Sequence, residues 1–475
     1  MLTPKTTAVL ALALAVSACD EGLTELNENP NAPTAVSAQF ILPQAQKAVV
    51  DRALGSNFGM TLTDLWVQHL SKVQYIDEDR YELRPQTIEA HFRGFYQGPL
   101  IDFEEIVRQG EEAKNPNWVA VATIMQAYTF GVMTDVWGDI PFSEALKGRE
   151  DVNTPKYDTQ KDIYYGLLAD LKASSDMIQP SGAAFGSADI IYGSDMAAWK
   201  RFANSLRMRL AMRLSEGDAA KGRAEFAAAF QAGGFTSNAH NAQLNYKGGK
   251  PDQNPRFVFF ETRYDHTISR TIVDTLKSFN DPRLAVYATP VPGTTSTYRG
   301  MPNGLSNDHG INFGTALSSI GDYFLAATAP AVMMSYAEVL FLQAEAAQRG
   351  WISASASGLY NQAITASMQQ YGVSAAAIST YLAQPRVQYS AATGLRQIAL
   401  QKWIALFGNG PEAFAEYRRT GLPQLTPGPA NTNGGKVPSR VPYPGFEQSF
   451  NKENLEFAVA RNGGMTLNDP VWWDK

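Results

Sequence analysis

The chain has 475 residues, 18% of them charged, and a formal net charge of −6 at pH 7. Phosphate recognition depends on clustered lysines and arginines, so an acidic chain without a basic block is not expected to bind nucleic acid. The single cysteine has no partner for a disulfide within the chain, and the stability of the fold must therefore come from the packing of its core.

The N-terminus has the layout of a bacterial secretory signal over residues 1–18. Lys5 gives a positive start, and the apolar run Ala8–Ala15 is too short to span a bilayer as a mature helix. The stretch VSAC, which ends at Cys19, resembles a lipobox, whose cysteine is acylated and becomes the first mature residue. The alternative is an ordinary signal peptide with a cysteine at its cleavage site. We favour lipidation of Cys19, for example with palmitate, because a free thiol at the start of a secreted chain would be reactive.

Residues 19–37 are polar and rich in asparagine, which indicates a tether. Helical periodicity begins near residue 38 and dominates most of the chain that follows. The predicted helices are 38–53, 58–73, 87–113, 117–135, 159–178, 195–215, 219–232, 268–279, 331–349, 355–371, 374–383, 394–408 and 451–461. Asn115 before a proline is typical of a helix start, and Ser194 is a predicted N-cap whose neighbour Asp195 adds favourable charge.

Two stretches, about 233–330 and 420–450, are rich in glycine and proline, and they are predicted to be loop-rich insertions. Irregular regions of this length inside a compact chain are usually functional. Outside them, helix pairs recur at intervals of roughly 35–50 residues, which is typical of tetratricopeptide-like stacking. The sequence therefore predicts a mainly α fold, in which a tetratricopeptide-like scaffold of helix pairs carries long irregular loop insertions. We expect a single domain over residues 38–475.

Common catalytic signatures are missing from the sequence. It has no H-E-x-x-H, G-x-S-x-G, G-x-x-x-x-G-K-[ST] or C-x-x-C motif, and its five histidines are dispersed without metal-ligand spacing. We therefore expect no catalytic residue and no metal site. A calcium site at Asp77, Glu78 and Asp79 is an alternative, because calcium prefers oxygen ligands, but these residues lack the ordered spacing of a known calcium loop.

Two conspicuous segments have structural interpretations. In DVWGDIPFSEAL a helix ends at a glycine, and we expect a corner in which Trp137 and Phe142 are buried rather than in contact with a ligand. In SYAEVLFLQAEAAQRG, Glu338 and Glu345 are seven residues apart and share one face of a helix. We expect these two glutamates to make polar contacts within or between helices rather than to act in catalysis.

Both segments belong to a set of six that occurs in a known family. In chain order the six are AVSAC, VWGDIPF, SYAEVLFLQAEAAQRG, LRQIALQKWIALFGNGPEAFAEYRRTG, SRVPYPGFEQSFN and VWWD. With them the chain resembles the SusD/RagB family of Bacteroidetes outer-membrane lipoproteins, specifically its SusD-like branch. The fourth segment departs from the family's acidic pattern around the glycines, since Asn409 and Pro411 stand there.

The resemblance implies both an architecture and a function. It implies a tetratricopeptide-like helical scaffold decorated by loops, on a lipoprotein of the outer membrane that faces the cell exterior. Such a protein captures nutrients, usually glycans and sometimes peptides, and passes them to a SusC-type TonB-dependent transporter. Asp20 and Glu21 follow directly after Cys19 and look like the acidic export signal of surface lipoproteins.

Ligand-binding residues have to be inferred from composition, because no motif of the family fixes them. Sugar rings stack on aromatic side chains and their hydroxyls bond to polar ones, so we looked for both in predicted loops and helix ends. One candidate cluster is Trp66, Gln68, His69, Tyr75, Asp77 and Tyr81. The other is Tyr264, Asp265, Tyr298, Arg299 and Asn303. Helix packing is the alternative for Trp66 and Tyr75, and a mobile loop or a transporter contact is the alternative for Tyr298 and Arg299.

These observations favour a non-catalytic lipoprotein that binds nutrient oligosaccharides without a cofactor and delivers them to a SusC-type transporter. A peptide-binding lipoprotein of the same system is one alternative. The others are a secreted hydrolase on a lipid tether and a surface scaffold that binds only protein.

Overall fold

Helices make up most of the described chain. The computed structural model describes residues 36–474. The helices of eight or more residues are α1 Ala38–Leu54, α2 Pro85–Phe95, α3 Ile101–Glu112, α4 Pro116–Trp137, α5 Gln160–Met177, α6 Met196–Arg213, α7 Ala219–Ala232, α8 Arg270–Ser278, α9 Tyr336–Gln348, α10 Ala356–Gln370, α11 Ala375–Leu382, α12 Gly394–Ala405, α13 Gly410–Thr420 and α14 Lys452–Asn462. Shorter helices are Asp64–Trp66, Pro255–Phe260, Leu284–Tyr287, Phe313–Ala316, Asp322–Leu325 and Gly445–Phe450. The strands are β1 Leu70–Lys72, β2 Ile140–Pro141, β3 Tyr157–Asp158, β4 Ala242–Leu244, β5 His266–Ile268 and β6 Ala331–Met334. The predicted signal peptide, Cys19 and most of the predicted tether lie outside the described residues.

The long helices pack as successive neighbours along the chain. Helix α3 packs on α4, α4 on α5, α5 on α6 and α6 on α7, while α9 packs on both α10 and α12. A cluster of buried apolar side chains extends from Ala38 to Trp473 and connects these layers. The mainly α, tetratricopeptide-like scaffold with irregular insertions is therefore confirmed.

Polar caps define where several of these helices begin. The Asn115 side chain accepts hydrogen bonds from two backbone N–H groups in the first turn of α4. Such a cap stabilises a helix by about 1 kcal/mol. At α6 the capping residue is Asp195, whose carboxylate accepts a hydrogen bond from the third residue of the helix at 3.0 Å. The predicted cap at Ser194 is thus wrong by one residue.

The largest error of the sequence prediction is the helix at 58–73. This stretch holds a π turn at Gly59–Thr63, the three-residue helix Asp64–Trp66 and then strand β1. Almost all of its apolar residues are buried, so that apolar residues also stand at the positions expected for a helix. A run of buried residues does not by itself distinguish a helix from other buried backbone.

Three other predicted helices have different bounds. The stretch 87–113 is divided between α2 and α3 by a π turn that contains Pro99, since proline lacks the N–H that a continuous helix needs. The stretch 331–349 begins with β6, and α9 starts only at Tyr336. The stretch 394–408 ends at Ala405, after which a short connection leads to α13.

The insertion at 233–330 is attached to the scaffold by two strand pairs. Strand β5 pairs antiparallel with β1, with His266 opposite Lys72, and β4 pairs antiparallel with β6. The predicted helix in this insertion is confirmed as α8, and short helices that were not predicted accompany it. The β1–β5 pair brings the residues after β1 next to those before β5.

The corner after α4 is built as expected. The Trp137 ring is fully buried, and its Nε1 donates a hydrogen bond to the Pro442 carbonyl at 3.2 Å. Gly138 has φ of +80°, a conformation that L side chains rarely adopt. The burial predicted for Trp137 is confirmed, while Phe142 is only half-buried, against Phe130.

Charged side chains fill the centre of the helical bundle. In α6, Arg209 lies 2.6 Å from a carboxylate oxygen of Glu338 on α9. Arg419 of α13 lies 2.6 Å from one carboxylate oxygen of Glu345 on α9. The other oxygen of Glu345 lies 2.9 Å from Arg349, the residue that follows α9. The polar contacts predicted for Glu338 and Glu345 are therefore confirmed, within and between helices.

Arg213 is the most enclosed cation of this network. It is fully buried and contacts three carboxylates, those of Asp135, Glu412 and Glu416. Burial by itself would raise the pKa of Glu416, but the surrounding cations outweigh it and hold this pKa well below its ordinary value. The centre of the bundle is thus a balanced ionic cluster, not an apolar core alone.

Among the described helices, α4 alone is long and apolar enough to cross a membrane. Since 78% of its apolar window is buried by the rest of the fold, α4 is a core helix of the bundle.

Candidate functional site

The two sequence-predicted ligand clusters meet at the β1–β5 strand pair. The backbone N–H of Val73 donates a hydrogen bond to the Asp265 carbonyl at 2.8 Å, which extends the pairing beyond β1. Tyr75, from the first cluster, and Tyr264 and Asp265, from the second, therefore lie at the same end of this pair. The strand pair explains how residues almost two hundred positions apart can act together.

An open cleft of about 620 Å³ lies at this end of the strands. Its volume is within the range of small-molecule sites. The cleft is lined by Arg52, Asn57, Thr61, Lys72, Tyr75, Arg84, Gln86, Thr87, Ala90, His91, Phe259, Arg263, Asp265 and His266. We call it the strand-end cleft.

An exposed aromatic ring marks the rim of the strand-end cleft. Tyr75 is 61% exposed, which is unusual for so large a side chain. Tyr264, which precedes Asp265, is 63% exposed but does not line the cleft. The Arg263 guanidinium lies 5.1 Å from the centre of the Tyr75 ring and 5.4 Å from that of Phe259. A ring held by a guanidinium on one side can present its other face to a sugar.

The backbone next to these rings is strained. Tyr75 has φ of +52°, and Gln68 and Tyr81 also have positive φ on either side of it. Conformations of this kind cost about 1–3 kcal/mol each and cluster at functional sites. The carbonyl of Tyr75 accepts a hydrogen bond from the Lys72 ammonium at 2.9 Å, which helps to fix the exposed ring in place.

Ion pairs order the polar side chains of the cleft. Asp265 is buried and accepts hydrogen bonds from Arg263 Nε and from Gln74, each at 2.7 Å. Lys72 and Arg84 both bind the buried carboxylate of Glu78. Burial would raise the pKa of Glu78, yet these two cations lower it, so this carboxylate stays ionised.

Two buried histidines form the floor. Burial, together with the nearby charge of Arg52, lowers the pKa of His91 to about 4. Burial also lowers the pKa of His266 well below its ordinary value, and Lys72 is the second cause. Both imidazoles are neutral at pH 7. One ring nitrogen of each, Nε2 of His91 and Nδ1 of His266, has no hydrogen-bond partner among the described residues.

Arg52 enters the cleft through a gap in helix α2. A Cβ atom at Gly94 would overlap the Arg52 guanidinium, so a larger residue there would have to displace the end of this side chain. The guanidinium donates to the Ala90 carbonyl at 3.3 Å and lies 5.7 Å from the centre of the Phe95 ring.

Four residues of the first predicted cluster do not reach the cleft surface. Trp66, Gln68, His69 and Tyr81 are each at most 3% exposed. Trp66 Nε1 donates to the Glu78 carbonyl, and His69 Nε2 lies 3.0 Å from the Trp403 carbonyl. These four side chains are enclosed by packing and do not line the strand-end cleft. Asp77 is half-exposed but does not line the cleft.

The second predicted cluster also contains residues that do not line the strand-end cleft. Asn303 is buried and its amide donates to Asp79 at 2.7 Å, so it fixes the loop and is not a ligand contact. Tyr298 is half-buried against the core, and Arg299 is exposed and donates to the Ala316 carbonyl. Neither of them lines the strand-end cleft.

Two of the three carboxylates at residues 77–79 already have partners within the protein. The Glu78 carboxylate is occupied by Lys72 and Arg84. Asp79 is buried and accepts hydrogen bonds from Ser71, Asn303 and backbone N–H groups. Within residues 36–474, no group of three His, Cys, Asp or Glu side chains is placed to hold a metal ion.

A second open cleft, of about 720 Å³, lies on the other side of helix α2. Its lining includes Phe92, Tyr96 and Phe446, and Arg93 stacks over the Phe446 ring at 5.9 Å. Each cleft has an exposed ring, since Phe450 of the second cleft is 75% exposed. The strand-end cleft is the stronger candidate because converging ion pairs and unpartnered buried nitrogens accompany its ring.

Sequence reasoning missed Arg52, His91 and His266 as members of the site. The first two lie inside helices and the third in a strand, and their spacing in the sequence carries no signal. That His266 lies opposite Lys72 follows only from the β1–β5 pairing, which the sequence does not reveal.

Comparison with known proteins gives a consistent result. A family model described as starch-binding and associating with the outer membrane matches residues 30–444. A solved structure named as a chitin-binding protein is 31% identical, with a TM-score of 0.84, and the match covers 92% of this chain and all 100% of that one. No curated protein sequence matches significantly.

Two further structures share the fold at lower identity. A chitin-binding SusD homolog from Flavobacterium johnsoniae is 24% identical, with a TM-score of 0.82, and the match covers 92% of this chain and 98% of that one. A SusD homolog from Bacteroides uniformis is also 24% identical, with a TM-score of 0.81 and coverage of 92% and 99%.

Proposed function

The chain belongs to the SusD-like family of starch-binding proteins that associate with the outer membrane, and from this premise we propose that it binds nutrient oligosaccharides in the strand-end cleft. It does so without catalysis and delivers them to a SusC-type TonB-dependent transporter. The observation that carries the proposal is the exposed Tyr75 ring beside a polar cleft. The name of the 31% identical structure supports a glycan as the ligand.

The cleft suits capture rather than reaction. An exposed ring offers an apolar face to a sugar, and Asp265, Arg263 and Gln86 offer polar groups for its hydroxyls. Asp265 is held by Arg263 and Gln74, and both cleft histidines are buried. An open site with side chains fixed in this way allows binding and release, as delivery to a transporter requires.

We expect Tyr75→Ala to lower the affinity for a bound oligosaccharide by about fivefold to thirtyfold, or about 1–2 kcal/mol, because one stacking surface is lost. Tyr264→Ala should have a smaller effect in the same direction. Titration calorimetry with chitin oligosaccharides and a wider glycan panel measures the affinity. A bound ligand should also raise the melting temperature, since it binds only the folded state.

Phe457→Ala is the matched control for this experiment. Phe457 is 64% exposed and lies on α14, outside the cleft lining. Equal affinities for wild type and Tyr75→Ala would refute the proposed site. Turnover of a glycan by the purified protein would instead favour the tethered hydrolase, and protection by peptides alone would favour peptide capture.

We also propose that Cys19 is lipidated and that residues 38–475 form one folded unit on a tether of residues 19–37. The lipobox-like stretch before Cys19 and the family's association with the outer membrane support the anchor. The apolar cluster that runs from Ala38 to Trp473 supports the single unit.

Replacing Cys19 by serine should move the protein from the membrane fraction to the soluble fraction while its circular dichroism spectrum stays the same. From detergent-solubilised membranes, the unaltered lipoprotein should co-purify with a large TonB-dependent transporter. Retention of Cys19→Ser in the membrane fraction would argue against the lipid anchor, and purification without a transporter would argue against the delivery role.

A further inference from the structure

The strand-end cleft has an excess of positive charge. The cationic side chains that line it are Arg52, Lys72, Arg84 and Arg263. Lys72 and Arg84 share the one carboxylate of Glu78, and Arg263 pairs with Asp265. Asp77, which does not line the cleft, is a third carboxylate near Arg84. Four cations thus face three carboxylates, in a chain whose formal net charge is −6. This excess is local and runs against the charge of the whole protein.

Arg52 is the least compensated of these cations. It is half-buried, and within the described part of the chain it forms no ion pair. Its Nε has no hydrogen-bond partner among these residues, and burial lowers the pKa of the guanidinium. A partly desolvated cation without an anion is unfavourable, so an anion that entered the cleft would be stabilised there.

The two histidines of the floor lie beside the same cations. His91 is 6% exposed and His266 is 4% exposed, and each has an unpartnered ring nitrogen. Neighbouring cations, among them Arg52 for His91 and Lys72 for His266, add to burial in keeping the rings neutral. A neutral imidazole can still donate one N–H to an oxygen acceptor.

We propose that the strand-end cleft takes an acidic oligosaccharide, whose sugar carboxylate binds the Arg52 guanidinium above His91 while a neighbouring sugar ring stacks on Tyr75. This inference rests on the proposed oligosaccharide function and names the chemical class of its ligand. A guanidinium binds a carboxylate with two parallel N–H···O bonds, which gives both affinity and orientation. A neutral glycan would leave the excess positive charge uncompensated.

Matched pairs of glycans test this inference on the full-length soluble chain that carries Cys19→Ser. The pairs are galacturonate oligosaccharides with their carboxyl-reduced forms, glucuronate-substituted xylo-oligosaccharides with unsubstituted ones, and hyaluronan oligosaccharides with their carboxyl-reduced forms. We expect the acidic member of at least one pair to bind tenfold or more tightly than its neutral partner. Rising salt should weaken the binding of the acid and leave that of the neutral partner unchanged, because ions screen only the charged ligand.

Arg52→Gln should abolish most of the preference for the acid, and Arg93→Gln is its matched control. Arg93 is exposed on helix α2, stacks over Phe446 in the other cleft and does not line the strand-end cleft. Both variants remove one positive charge, so they change the net charge equally. A preference lost in Arg52→Gln and kept in Arg93→Gln would support the assignment.

Two results would overturn the inference. The first is tighter or equal binding of the neutral partner in every pair, which would leave the oligosaccharide function intact. The second is an acid preference that Arg52→Gln does not reduce. If no member of any pair binds, the proposed function fails and this inference fails with it.

Discussion

Arg213→Met is expected to destabilise the fold by about 3–5 kcal/mol, or to prevent folding. The guanidinium of Arg213 is fully buried against Asp135, Glu412 and Glu416. Methionine has a similar length but no charge, so three buried carboxylates would lose their shared cation. Glu412 stays close to Arg209 and Lys402, and Glu416 stays close to Lys402 and Arg419. Asp135, in contrast, forms no other ion pair among the described residues. Removing one partner of a buried ion pair costs about 3–5 kcal/mol, because the charge that stays behind is neither solvated nor paired. Urea denaturation followed by circular dichroism measures the free energy of unfolding.

A second variant keeps this prediction testable if Arg213→Met does not fold. Arg213→Met combined with Asp135→Asn also removes the carboxylate that pairs with Arg213 alone among the described residues, and should recover part of the lost stability. Lys172→Met is the control, because Lys172 pairs with Asp176 at 2.6 Å on the surface of α5, where both side chains are about 60% exposed. It should change stability by less than about 1 kcal/mol. A similar small loss in Arg213→Met would contradict the role assigned to the ionic cluster.

Trp66→Ala is expected to lower the free energy of unfolding by about 3–5 kcal/mol, which is typical of a large buried side chain. The ring is fully buried, and its centre lies 5.2 Å from the centre of the Phe414 ring. The substitution also removes the hydrogen bond from Trp66 Nε1 to the Glu78 carbonyl. Interpreted as a ligand contact, the same change would weaken binding and leave the melt nearly unaltered. Because Trp66 is buried, we instead expect the substitution to lower stability.

Tyr75→Ala is the matched comparison for Trp66→Ala, since both residues come from the same predicted cluster. Because Tyr75 is exposed, its removal should change stability by about 0.5 kcal/mol or less and act on ligand binding. Thermal and urea denaturation of the two variants, with oligosaccharide titration of each folded protein, separates the roles. If Trp66→Ala were stable and bound the oligosaccharide more weakly, Trp66 would be a ligand contact after all.

The helices that could be predicted from sequence are those with local signals at their ends. Helix α4 follows an asparagine cap and a proline and ends at Gly138, and α5, α6 and α7 also begin at polar caps. Residues 58–73 have no such signal, and their conformation depends on the partner strand β5, about two hundred positions away. Non-local pairing of this kind cannot be deduced from spacing.

The candidate site could be predicted only where exposed rings stand among polar loop residues. Tyr75, Tyr264 and Asp265 were found in this way, and the structure brings them to one end of the strand pair. Composition could not separate Tyr75 from Trp66, because the two differ in burial and not in residue type. The charged floor was missed because Arg52 and His91 lie on two different helices that meet only in the fold.

Gly94, the last residue but one of α2, links two distant positions of the sequence. Glycine in a helix costs about 1 kcal/mol relative to alanine, and a Cβ atom at position 94 would overlap the Arg52 guanidinium in its present position. A larger residue at position 94 would therefore have to displace the end of the Arg52 side chain. The absence of a side chain at one position thus leaves the space in which the other places a cation at the cleft.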